Sequence, residues 1–110
     1  MNIRAAREKD AARLAAIINT NPTPEQIEAA RHALRLFYRF AAAYQASFYT
    51  EQSRTATQAA KEAADAKSER AYKRAADALK PYRVRVSLPG LYPIIDHENG
   101  SNFSIGHFYH

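Results

Sequence analysis

The chain has 110 residues, 46% of them hydrophobic and 25% charged, which is the size and balance of one domain with its own core rather than of a disordered or fibrous chain. It contains no cysteine, which excludes a disulfide framework and any cysteine-ligated metal. The formal net charge is +5, so acidic partners are favoured over basic ones.

Residues 1–10 are charged throughout and lack the apolar centre of a signal peptide. No run approaches the roughly 18 apolar residues of a membrane span. A soluble cytoplasmic protein without a membrane partner is expected. The basic excess lies in the first eighty residues: four basic against two acidic side chains in 1–20, three against two in 21–50 and seven against five in 51–80, with two against two in 81–110.

Residues 3–19 read as a first helix, with Leu14, Ile17 and Ile18 as its apolar edge and Arg4, Arg7, Lys9 and Arg13 on the polar side. Four cations oppose the positive end of its dipole, so fraying is expected at its start. Asn19-Thr-Asn-Pro22 is a loop of turn-forming residues. The dominant element follows, from Thr23 to about Gln52. Thr23 is placed as N-cap, Pro24 at the first helical position and Gln26 where it closes a capping box. Ile27, Ala30, Leu34, Phe37, Ala41, Tyr44 and Phe48 recur in steps of three and four, the spacing of one helix face. Phe37, Tyr44 and Phe48 are expected to anchor the core. Leu36 and Phe40 widen the apolar arc beyond what one neighbour needs, which points to self-association. Arg31, Arg35 and Arg39 descend the other side at spacing four.

A straight helix from Pro24 to Pro81 would be about 85 Å long at 1.5 Å per residue, too long for a domain of this size. Thr50-Glu-Gln-Ser-Arg-Thr-Ala-Thr57 is the one place for a reversal, because hydroxyl and β-branched side chains compete with the helix there. Thr55 with Gln58 is spaced as a second capping box. Residues 56–80 read as an alanine-rich third helix whose thin face runs through Ala56, Ala59, Ala60, Ala63 and Ala64 to Ala71, Ala75, Ala78 and Leu79. Glu69, Lys73 and Asp77 are spaced for pairs four apart.

At Pro81 the composition changes. Tyr82-Arg-Val-Arg-Val-Ser-Leu88 alternates with strand period. Leu91–His97 and Asn102–Tyr109 read as two further strands, joined to it and to each other by turns at Pro89-Gly90 and Asn99-Gly100. Two-residue turns at both places set Asp96 opposite Phe103, Ile95 opposite Ser104 and Ile94 opposite Ile105. Val84, Val86, Leu88, Leu91, Ile95 and Phe108 then share the core face; Arg83, Arg85, Tyr92, Ile94, Phe103, Ile105, His107 and Tyr109 share the other. The predicted fold is α+β: one domain over 1–110, with an N-terminal helix and a long helical hairpin (1–80) before a small three-stranded antiparallel meander (81–110).

Catalytic and metal chemistry find little support. His97, His107 and His110 with Asp96 and Glu98 include metal-ligand types, but the register sends His97 and His107 to opposite faces. No glycine-rich loop precedes a helix, and carboxylates are scattered along charged helices. A non-enzymatic protein without metal or cofactor is therefore expected. Arg31, Arg35 and Arg39, with Arg70, Lys73 and Arg74 as a second cluster, are the candidate partner-binding residues. They suit a phosphate backbone or an acidic protein surface, nucleic acid or a protein of the nucleic-acid machinery; the plain alternative is a solvated face. Phe103, Tyr92 and Tyr109 beside Arg83 and Arg85 have the composition of a base-stacking platform, although structural aromatics are the simpler reading. The other functional expectation is an inhibitor or adaptor that acts through exposed aromatics, as a homodimer.

Overall fold

In the computed structural model, which describes residues 2–98 and 103–105, helix α2 (Pro24–Gln52) is the spine. Its start follows from the sequence. The Thr23 hydroxyl accepts from the Gln26 backbone N–H at 3.1 Å, and the Gln26 side chain accepts from the Thr23 N–H at 2.9 Å, so two orphan donors are satisfied reciprocally. Twenty-nine residues make a helix about 44 Å long, which sets the 51 Å long axis of the molecule.

Helix α1 (Ile3–Ala15) packs on one side of α2 and helix α3 (Gln58–Leu79) on another. The wide apolar arc of α2 therefore meets two neighbours in its own chain. Helix α1 is capped by Asn2, whose side chain accepts from the Arg4 and Ala5 N–H groups. It ends four residues earlier than the sequence suggests, its last residues passing into a turn. Leu14 is fully buried and Ile17 partly so, but Ile18 is half exposed. The reversal falls in residues 53–57, as expected. The cap of α3 is Thr57, which accepts from the Ala60 N–H at 3.1 Å, and not Thr55, whose hydroxyl lies 3.2 Å from that of Ser53. Above the turn, the Ser47 hydroxyl donates to Asp65 across the hairpin.

The core joins Ala11, Leu14, Leu34, Phe37, Phe40, Ala75 and Leu79 to the sheet residues Val84, Ile95 and Ile105. Two expectations change here. Phe40, placed on a flank by the sequence, is buried, whereas Phe48 is 43% exposed. The cause is reach: thirteen residues of α1 cover about 20 Å, and α1 runs beside residues 31–38 of α2, leaving Phe48 beyond it. Tyr44 is partly buried against the core. In α3, likewise, only the half beside the aromatic segment and sheet is well covered. Ala75 and Leu79 are buried, but Ala59, Ala60 and Ala63 are exposed. Among the described residues, Lys73 pairs with neither Glu69 nor Asp77.

A single 3₁₀ turn (Lys80–Tyr82) leads to β1 (Val84–Ser87), β2 (Ile94–His97) and β3 (Ser104–Ile105), an antiparallel sheet in the order β1-β2-β3. Its register departs from the predicted one in both hairpins. Val86 faces Ile95 and Ser87 faces Ile94; Ile95 faces Ile105 and Asp96 faces Ser104. With a two-residue turn at Pro89-Gly90, Pro93 would stand opposite Val86 inside the ladder, where it has no N–H to donate. Pairing instead stops at Ser87 and Ile94. In the second hairpin, the shift of one residue moves Ile105 from the outer face to the core face, beside Ile95 and Val86. Phe103 follows it and packs against the core, while Leu88 is 48% exposed. Among the described residues the outer face joins Ile94 to a polar group: Arg85 donates to Asp96 at 2.9 Å, and the Ser87 hydroxyl donates to its other oxygen at 2.9 Å. The Asn99-Gly100 turn and the predicted strand residues Asn102 and 106–109 lie outside the described residues.

Arg83 joins the 3₁₀ turn to β1 with φ 53° and ψ 41°, and is the one non-glycine residue with positive φ among those described. A side chain there costs about 1–2 kcal/mol. Glycine would remove that strain, offset by its greater freedom when unfolded. Arg83→Gly is expected to raise the melting temperature by a few degrees, a gain of up to about 1 kcal/mol. A lower melting temperature would show that side-chain contacts outweigh the strain.

Candidate functional site: a basic cleft between the long helices

The hairpin of α2 and α3 leaves a cleft of about 660 Å³ along one side. Arg39 projects from α2, and Lys67, Arg70 and Arg74 from α3; Leu36, Ala42, Ala43, Ala46 and Ala71 complete the lining. Helical spacing explains the assembly. Positions 67, 70, 71 and 74 recur as i, i+3, i+4 and i+7, one face of α3, and 39, 42, 43 and 46 do the same along α2. Alanine at the inner positions keeps the floor low and apolar.

The cleft is electrostatically unbalanced. Four formal positive charges border it, and no carboxylate lines it. Among the described residues, none of the four cations forms an ion pair. Asp77, one turn beyond Arg74, makes none either. Like charges facing a shared apolar floor repel one another, and an anion placed between them relieves that repulsion.

The arginine row of α2 is therefore divided. Arg31 donates to both carboxylate oxygens of Glu8 on α1, at 2.8 and 2.7 Å, and also pairs with Glu28. Arg35 donates to Glu28 at 3.0 Å. Arg31 thereby serves the docking of α1 on α2, together with Arg7, whose guanidinium lies 4.3 Å from the centre of the Tyr38 ring, while the Arg35 bond stays within α2. Only Arg39 continues into the cleft. Arg70 and Arg74 join it there; Lys73 is exposed outside the lining. Lys67 was missed by the sequence reading, although its place three residues before Arg70 and seven before Arg74 was a usable signal.

The Arg31 bond holds the Glu8 carboxyl below its ordinary range, against a smaller upward effect of desolvation. A carboxylate depressed in the folded state adds stability above its unfolded pKa of about 4.3 and loses it as pH falls below that value. The stability gap between the wild type and Glu8→Gln is thus expected to be present at neutral pH and to close on acidification below about pH 4. Thermal melts across that range test it; a gap independent of pH would exclude the ion pair as its source.

Among the described residues, Phe103 and Arg85 do not form a stacking platform. Phe103 lies on the core side, with the Arg13 guanidinium 5.0 Å from its ring centre and the His97 ring at 5.0 Å. Arg85 is on the opposite face with Asp96. Tyr109, His107 and His110 lie outside the described residues. Among the described residues, no three His, Asp or Glu side chains converge as metal ligands, and no helix is long and apolar enough to cross a membrane. No protein-family model, curated protein or solved structure matches the chain.

Proposed function

We propose that this chain is a non-enzymatic binding protein that offers the cleft between α2 and α3 to an acidic partner. One observation carries the reading: Arg39, Lys67, Arg70 and Arg74 border a shared apolar-floored cleft without a carboxylate among them. A solvated basic face has no need of that arrangement, since cations on a surface helix are ordinarily interspersed with acids, as Arg31 and Arg35 are here with Glu8 and Glu28. The test is a fluorescence titration of two labelled polyanions, a poly-glutamate peptide and a DNA duplex. Wild-type protein binds at least one of them, and the combined Arg39→Gln, Arg70→Gln, Arg74→Gln variant binds it much more weakly. Equal binding by the two proteins overturns the reading.

A second reading rests on a different surface. Tyr72 and Leu88, 43% and 48% exposed, border a shallow apolar hollow with Phe40 and Tyr44, and Phe48 and Tyr49 are exposed further along α2. Such a patch suits a homodimer or an adaptor contact. Sedimentation that stays monomeric at tens of micromolar, a concentration well above the Kd of an ordinary specific interface, argues against the dimer.

A further inference from the structure

Resting on the cleft reading, we infer that the cleft receives an acidic amphipathic α-helix of a partner protein, laid along the groove as a third helix between α2 and α3. Three features select this occupant over other anions. First, the groove follows the two helices: Leu36 to Ala46 spans about 15 Å at 1.5 Å per residue, the length of roughly three helical turns. Second, its floor is alanine apart from Leu36 at one end. Small side chains allow helix axes to approach to the near end of the usual 8–10 Å, and an apolar stripe on the incoming helix has a dry surface to cover. Third, the cations stand on both sides of that floor, Arg39 from α2 and Arg70 and Arg74 from α3. A helix with a small apolar stripe and Asp or Glu along both flanks matches this pattern in charge and in polarity. Single-stranded nucleic acid fits less well, because no aromatic side chain lines the cleft to stack a base. A duplex would present phosphates to the cations but nothing to cover the apolar floor.

The probes are a capped peptide of about 18 residues, long enough to overhang the groove by a turn at each end, with Leu and Ala on one face and Glu on both flanks, a scrambled peptide of the same composition, and a duplex of roughly 20 base pairs. Two variants are compared with wild type: the Arg39→Gln, Arg70→Gln, Arg74→Gln protein and an Ala42→Phe, Ala46→Phe protein. The second raises the floor at two exposed positions without altering charge; its melting curve is recorded beside that of wild type. The amphipathic peptide is expected to bind wild type about tenfold or more tightly than the scrambled one, and to gain helical circular dichroism on binding. The Gln variant is expected to lose both peptides, and the Phe variant to lose the preference between them. If the peptides bind equally and both depend on the arginines, the cleft is a general polyanion site and the helix is excluded. If the duplex binds more tightly than either peptide, with arginine dependence and a steep salt slope, the occupant is nucleic acid. If no probe responds to the Gln substitutions, the cleft reading itself fails and the helix with it.

Discussion

Phe37→Ala is expected to lower stability by about 3–5 kcal/mol, which for a domain of this size lowers the melting temperature by more than about 10 °C. Phe37 is 1% exposed at the meeting point of the helices, with its ring edge-on to Tyr38 at 5.5 Å between centroids, and it shares the core with Leu14, Leu79 and Ile95. Truncation there leaves a cavity bounded by elements that are held elsewhere and collapse only partly. Phe48→Ala is the control. Phe48 is 43% exposed and meets the Tyr49 ring at 5.6 Å, so its loss should cost about 1 kcal/mol or less. The two residues stand eleven apart on one helix and are the same in chemistry, so the contrast reads burial alone. Equal melting curves for the two variants would show that the core is not where the fold places it.

The second large effect is on binding. Three guanidiniums contacting a polyanion in a partly desolvated cleft contribute about 1 kcal/mol each, between an exposed ion pair and a buried charged hydrogen bond. The combined Arg39→Gln, Arg70→Gln, Arg74→Gln variant should therefore bind the anionic probe roughly 100-fold more weakly. For a duplex probe, losing three phosphate contacts also flattens the slope of log K against log salt by about 2.7. Gln keeps helix propensity close to that of Arg, so the fold should persist. Arg31→Gln with Arg35→Gln is the matched comparison. Both side chains already pair with Glu8 or Glu28, so their removal should leave affinity within about twofold, an energy below 0.5 kcal/mol, and act on the docking of α1 instead. If the Arg31 and Arg35 variant loses binding and the cleft variant keeps it, the site lies on the α1 side of the molecule.

What the sequence by itself determined is local. The capping box at Thr23 and Gln26, the apolar stripe through Leu34 and Phe37, the reversal near residues 53–57 and the change to strand period after Pro81 depend on neighbours a few residues apart, and those rules operate within one segment. The order of elements and the α+β class follow from them. Tertiary structure decided which parts of each pattern are used. Phe48 continues the stripe of Phe37 but lies beyond the end of α1. Arg31, Arg35 and Arg39 have the same spacing, yet Glu8, more than twenty residues earlier in the chain, takes Arg31 away from the surface row. The sheet register also required the whole fold. The turn signals at Pro89-Gly90 and Asn99-Gly100 predict registers that the pairing does not follow: between β1 and β2, Pro93 has no N–H to give the ladder, and between β2 and β3 a slip of one residue turns Ile105 to the core face beside Ile95. The basic cleft is of the same kind. Arg39 and Lys67, 28 positions apart in the sequence, become neighbours around one floor only when the hairpin closes.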